Sequence, residues 1–171
     1  APLLAVNCQL MGAESVGLNS ASLFTEPARK LKKRFQFHRD FSPTASLPLC
    51  GLQADCQANA PGHLTWNFAL YDDASLWVVP GSNKRANTAT EQKVLDQPGK
   101  LADAPLPGAV PIELAAGDAV AFDATMLHSG SNDSNTYRRT FNASYRAFGG
   151  PVFPHNRTTS WQPDLRERLL P

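Results

Sequence analysis

Fourteen prolines and eleven glycines are scattered through the 171 residues and divide the chain into short segments, which leaves room for strands and turns and little for helix. Between these breaks, Leu3–Leu10, Ser15–Phe24, Arg34–His38, His63–Leu70, Leu76–Val79, Val110–Glu113, Ala119–Phe122 and Thr140–Ala147 all read as strands. In the last, Thr140, Asn142 and Ser144 alternate with Phe141, Ala143 and Tyr145, the period-two pattern of a half-buried strand. Thr88–Leu95 is the best helical segment, with Leu165–Leu170 a short second, and Gln97–Gly108 reads as a Pro/Gly-rich loop. About eight strands without helical crossovers predict an all-β sandwich, jelly roll or barrel.

The chain is long enough for one domain with a sizeable core. Sixteen basic against fifteen acidic residues give a net charge of +1, so no global field points to nucleic acid or an anionic membrane. The densest basic run, Arg29-Lys30-Leu31-Lys32-Lys33-Arg34, reads first as a solvated loop or strand edge. Its sharper reading is a landing strip for an anionic substrate. Cys8, Cys50 and Cys56 fit no zinc spacing and read as reduced thiols. With no apolar run of membrane-spanning length and no signal-peptide core, the expectation is an intracellular, cytoplasmic protein.

Chemistry concentrates at His38-x-Asp40 … His128, followed by Arg138 and Arg139. Two imidazoles and one carboxylate on one face of a metal leave the other face open, as a non-haem Fe(II) oxygenase requires. His38 and Asp40, two apart on a strand, project to the same side. An arginine beyond the second histidine offers a fork for the far end of a dicarboxylate. A lone His-x-Asp would be weak support; its surroundings strengthen it.

In order, the chain carries Phe37-His38-Arg39-Asp40, then Asp72-Asp73-Ala74-Ser75-Leu76-Trp77-Val78-Val79-Pro80-Gly81-Ser82-Asn83-Lys84. Gly117-Asp118-Ala119-Val120-Ala121-Phe122, Leu127-His128-Ser129-Gly130-Ser131-Asn132 and Tyr137-Arg138-Arg139 follow. This succession resembles the phytanoyl-CoA dioxygenase family. The resemblance implies a double-stranded β-helix, a cupin-like jelly roll with few short helices, filling a single domain over residues 1–171. The family's extra helical sequence ahead of the barrel is expected to be missing from, or not included in, these residues. Asn83 stands where the family commonly has histidine, and the Tyr71–Ser75 connection is shorter than usual; neither departure touches the triad.

The same resemblance implies an Fe(II)/2-oxoglutarate-dependent dioxygenase that uses dioxygen to hydroxylate a small-molecule or lipid-like substrate, releasing succinate and CO₂. His38, Asp40 and His128 would hold Fe(II). Arg138, with Arg139 in reserve, and Thr140 would hold 2-oxoglutarate; strand alternation lets only one of the two arginines face the interior. Trp66 or Asn67 would line the pocket, Trp66 having a core role as its alternative. Asp40 favours hydroxylation over halogenation, because related halogenases carry a small residue there. The basic run tilts the substrate toward an anionic one. His63 and His155 read as structural, and Trp161 packs over the barrel mouth or its outside. Two other readings stay open: a cupin-type metal oxygenase that does not use 2-oxoglutarate, and a non-catalytic jelly-roll domain that binds a ligand.

Overall fold

The computed structural model describes residues 2–26, 35–40, 61–97, 101–130 and 137–147. The basic run at 29–34, Cys50, Cys56, His155, Trp161 and the helix expected over Leu165–Leu170 lie outside them.

Alternation in two strands organises the fold. In β3 (His63–Ala69) and β9 (Arg138–Ala147), apolar Leu64, Trp66 and Phe68 lie opposite Tyr145, Ala143 and Phe141. On the reverse face Thr65, Asn67 and Ala69 lie opposite Ser144, Asn142 and Thr140. The apolar face is covered by α1 (Pro2–Met11), whose Leu3 and Met11 join Leu64, Ala143, Tyr145 and Trp66 in one cluster. The polar face turns inward. With β1 (Val16–Glu26) and β7 (Ala119–Asp123) these strands form an antiparallel sheet in the order β1-β9-β3-β7.

The second sheet is built on β4 (Asp73–Val78), flanked by β6 (Val110–Leu114) and β8 (His128–Gly130). β2 (Phe35–Gln36) pairs with β5 (Leu101–Ala102) and is joined to β8 by the Gln36 amide, which donates to Ser129 Oγ at 2.9 Å. The inward side chains Leu76 and Val78 meet Phe122 of the first sheet, with Ile112, Val120 and Met126 around them. The outer face packs Phe35, Phe37, Val79, Leu106 and Leu127 against Trp77 and against Val94 and Leu95 of α2 (Ala89–Leu95). Two facing antiparallel sheets with few helices make the jelly roll that the sequence predicts.

Thr88 caps α2: its hydroxyl accepts the Glu91 amide and Glu91 reaches back to the Thr88 amide, a capping box. Buried Glu91 is held as a carboxylate by both Nη groups of Arg85, at 2.8 and 2.6 Å. Leu3–Leu10, expected as a strand, is instead the body of α1. Pro2 suits a first helical position, and Leu3, Asn7 and Met11, spaced by four, form its packed face. A short apolar run does not by itself distinguish strand from helix. β8 and β5 went unforeseen because three and two residues carry no readable period. No helix among the described residues is long and apolar enough to cross a membrane.

Candidate metal centre

His38 and His128 sit on neighbouring segments joined by a reciprocal main-chain pair: the His38 amide donates to the His128 carbonyl at 2.9 Å and the His128 amide returns the bond at 3.0 Å. Their rings lie 4.3 Å apart, centre to centre. The Asp40 amide is anchored to the Ala124 carbonyl at 3.0 Å. One ligand atom from each of His38, Asp40 and His128 lies within 4.8 Å of the others, a cluster that could hold a metal ion.

The imidazoles are oriented for that task. Nδ1 of His38 donates to the Gln36 carbonyl at 2.9 Å, and Nδ1 of His128 donates to the Met126 carbonyl at 3.0 Å. A carbonyl can only accept, so each Nδ1 carries the proton and each Nε2 presents a lone pair when the ring is neutral. Asp40 Oδ1 lies 3.2 Å from His128 Nε2 and 3.7 Å from His38 Nε2. Its other oxygen accepts from Thr65 Oγ1 at 2.6 Å. His128 is buried against Phe122, ring centres 4.8 Å apart, whereas the His38 side chain is 42 % exposed. The cluster therefore opens on the His38 side. Two neutral nitrogens and one carboxylate oxygen, each secured by a second hydrogen bond, suit a divalent first-row metal.

Burial works against the charge on Asp40, but the His128 imidazole, bonds from His128 and Thr65, and His38 outweigh it and hold the carboxyl well below the usual range. Burial likewise opposes a charged His128, and Asp40 more than offsets it, so the imidazole pKa lies above its ordinary 6.5. A metal must displace the proton that Asp40 favours. Metal affinity should thus be full above that raised pKa and fall about tenfold per pH unit below it. Calorimetric titrations across pH would show this; a flat profile would contradict it.

A network around Arg39 fixes the ligands' backbone. Its guanidinium donates to the Thr125 carbonyl, to the Ser82 carbonyl at 3.2 Å and to Asn87 Oδ1 at 2.6 Å. Ser82 Oγ accepts the Leu127 amide at 2.8 Å, and Asn83 Nδ2 donates to Asp123 at 3.1 Å. The turn Pro80-Gly81-Ser82-Asn83-Lys84 thus braces the segment leading into His128. Gly81, at φ 75°, has the left-handed conformation that glycine tolerates best. An Arg39→Met protein should bind metal about tenfold more weakly, as loss of supporting bonds commonly does; calorimetry would test it, and unchanged affinity would refute the bracing role.

Register separates the two arginines. Arg138 faces inward: its side chain is 10 % exposed, Nε donates to Thr140 Oγ1 at 3.4 Å, and Glu26 and Asp73 carboxylates lie 3.7 and 3.9 Å away. A Cβ on Gly130 would stand 3.4 Å from Arg138 Nη1, about van der Waals contact, so the guanidinium lies directly beside this glycine. Arg139 faces away and lies over the Tyr71 ring. Asn67 is inward, accepting from Asn142 Nδ2 at 2.7 Å. Alternation turns the Trp66 indole outward into the α1 cluster, the core role given as its alternative, where Nε1 donates to Asn7 at 3.0 Å. A cavity of about 430 Å³ at the β7 edge is lined by residues that include apolar Val78, Ile112, Phe122 and Met126 and polar Asn83, Lys84 and Asp123; no triad residue lines it.

A jelly roll with two imidazoles and a carboxylate converging inside it has the architecture of the non-haem iron oxygenases. The model of the phytanoyl-CoA dioxygenase family matches residues 18–141, and the chain belongs to that family. Its members are Fe(II)/2-oxoglutarate-dependent oxygenases, so Fe(II) and 2-oxoglutarate are the cofactor pair that membership carries. No curated protein matches the sequence. Among solved structures, AviO1 from Streptomyces viridochromogenes is 23 % identical, over 89 % of this chain and 60 % of its own, with a TM-score of 0.59. SnoK, a non-haem α-ketoglutarate-dependent carbocyclase from nogalamycin biosynthesis, is 19 % identical, over 99 % of this chain and 62 % of its own, with a TM-score of 0.59. EctD from S. alaskensis, solved with 2-oxoglutarate and 5-hydroxyectoine, is 20 % identical, over 91 % and 56 %, with a TM-score of 0.56. These likenesses are of fold, and the chain spans about three fifths of the length of those proteins.

Proposed function

We propose that the chain is the catalytic barrel of an Fe(II)/2-oxoglutarate-dependent dioxygenase that hydroxylates a small molecule. The convergence of His38 Nε2, His128 Nε2 and Asp40 Oδ1 carries this reading. Fe(II) bound by these atoms would supply oxygen activation: one atom of O₂ goes to 2-oxoglutarate, giving succinate and CO₂, and the other into a substrate C–H bond.

The remaining work belongs to the protein. Arg138 would receive the distal carboxylate of 2-oxoglutarate through its fork, with the Thr140 hydroxyl beside it. The Glu26 and Asp73 contacts, at 3.7 and 3.9 Å, are long enough to leave the guanidinium's donors open to a further partner. Phe122 and Val78 keep water from one flank of His128, and the Nδ1 bonds hold both rings still while substrate is bound. Asp40 fills the third protein position, which favours hydroxylation over halogen transfer. The carbocyclase named above attests that this fold also serves other oxidative outcomes in its relatives.

The test is to add Fe(II) and then 2-oxoglutarate to metal-free protein without oxygen. The weak visible charge-transfer band of the chelate is the expected result. Iron binding without that band would replace this reading with a cupin-type oxygenase, and no iron binding would replace it with a ligand-binding domain.

A further inference from the structure

The inner face of the β1-β9-β3 strands is polar along much of its length. Thr65, Ser144 and Ser20 are register partners across three neighbouring strands, so their side chains form one row at about 5 Å spacing. The row begins at the metal cluster, because Thr65 donates to Asp40 at 2.6 Å. It continues through Ser20 and Ser144, whose hydroxyls are 2.7 Å apart. A register shift between Leu18 and Ser20 leaves Asn19 as an extra residue, and its amide donates to Ser144 Oγ at 3.2 Å. A bulge of this kind re-aims a side chain; here it adds a second polar group to the same face.

Arg146 stands one step further along, two residues beyond Ser144 on β9 and hence on the same face. Its register partners are Gly17 on β1 and His63 on β3. Gly17 presents no side chain against it. Arg146 is half-buried, and no carboxylate among the described residues pairs with it. This end of the sheet is remote from Arg138, eight positions back along the same strand. The two arginines therefore mark opposite ends of one wall, with the level of Asp40 and Thr65 toward the Arg146 end.

We infer that Arg146, Ser144, Ser20 and Asn19 form the substrate-recognition wall, and that the substrate is a small hydroxylated molecule carrying a carboxylate or phosphate held by Arg146. This rests on the oxygenase reading above. The hydroxyls of this row, buried at Thr65 and Ser144 and half-buried at Ser20, keep acceptor lone pairs beyond the bonds they make to one another and to Asp40, and an alkyl chain laid against them would leave that capacity unmet. The cavity at the β7 edge lies behind Phe122 and Val78, which flank His128, and none of His38, Asp40 and His128 lines it. The anionic group follows from Arg146, a half-buried cation with no described carboxylate to satisfy it.

The experiment uses the Fe(II)·2-oxoglutarate form without oxygen and follows both heat and the chelate band. Four probes are added separately: glycerol 3-phosphate, 3-hydroxybutyrate, glycerol and hexanoate. At least one of the first two should bind saturably and perturb the band, the two arms distinguishing phosphate from carboxylate. Glycerol and hexanoate, each lacking one feature, should bind about tenfold more weakly or not at all. Arg146→Gln should weaken the anionic probes about tenfold and leave 2-oxoglutarate affinity unchanged. Ser144→Ala should weaken the hydroxylated anions and leave hexanoate unaffected. Hexanoate or glycerol binding as well as the hydroxylated anions, no binding by either hydroxylated anion, or an Arg146→Gln protein that binds like the parent would each overturn the inference. Absence of the band before any probe is added would instead overturn the oxygenase reading, and this inference with it.

Discussion

A His128→Ala protein should retain its fold and lose its iron. Three arrangements converge on that residue: its Nδ1 is fixed by the Met126 carbonyl, its Nε2 lies 3.2 Å from Asp40, and its ring is buried against Phe122. No other described imidazole or carboxylate completes a cluster of three ligand types there. Removing one of three protein ligands exceeds the effect of removing a supporting bond, so Fe(II) affinity should fall by more than about a hundredfold. The bonds joining β8 to His38 come from main-chain atoms, which alanine also possesses. The circular-dichroism spectrum should therefore stay unchanged while metal analysis finds no iron. Stoichiometric iron in the variant would place the metal elsewhere.

Arg138→Gln and Arg139→Gln should behave very differently despite being neighbours. Arg138 is enclosed by the barrel, beside Thr140 and Gly130. Removing one partner of a buried charged pair commonly costs about 3 kcal/mol, or roughly a hundredfold in affinity. The 2-oxoglutarate Kd of Arg138→Gln should rise by about that factor, and Arg138→Lys should recover only part of it, because lysine lacks the fork. Arg139 lies outside over Tyr71, so its loss should leave 2-oxoglutarate binding within about twofold. Titration of the chelate band would measure all three variants. Equal effects at both positions would remove Arg138 from the co-substrate site.

β3 and β9 were legible because each alternates. His63-Leu64-Thr65-Trp66-Asn67-Phe68-Ala69 places Leu64, Trp66 and Phe68 on one face, so the pattern already held the information that Trp66 and Asn67 cannot share a pocket. The choice between Arg138 and Arg139 needed the register with β1, where Glu26 lies opposite Arg138; spacing from His128 could not supply it. The helix at Pro2–Met11 was hidden by an apolar composition that serves either state. The bracing of the metal loops by Arg39 was not legible at all. Its partners Ser82, Asn87 and Thr125 are brought together only by the folded chain, and nothing local in the sequence marks them.

The three ligand positions are tied to one another and to the barrel by main-chain atoms that any residue but proline supplies: the paired amides and carbonyls of His38 and His128, and the Asp40 amide on the Ala124 carbonyl. Ligand identity is therefore separable from ligand placement. A substitution at Asp40 or either histidine changes what the centre coordinates without dismantling the scaffold that presents it. Such a barrel can explore new inner chemistries one side chain at a time, each trial borne by the same unchanged backbone.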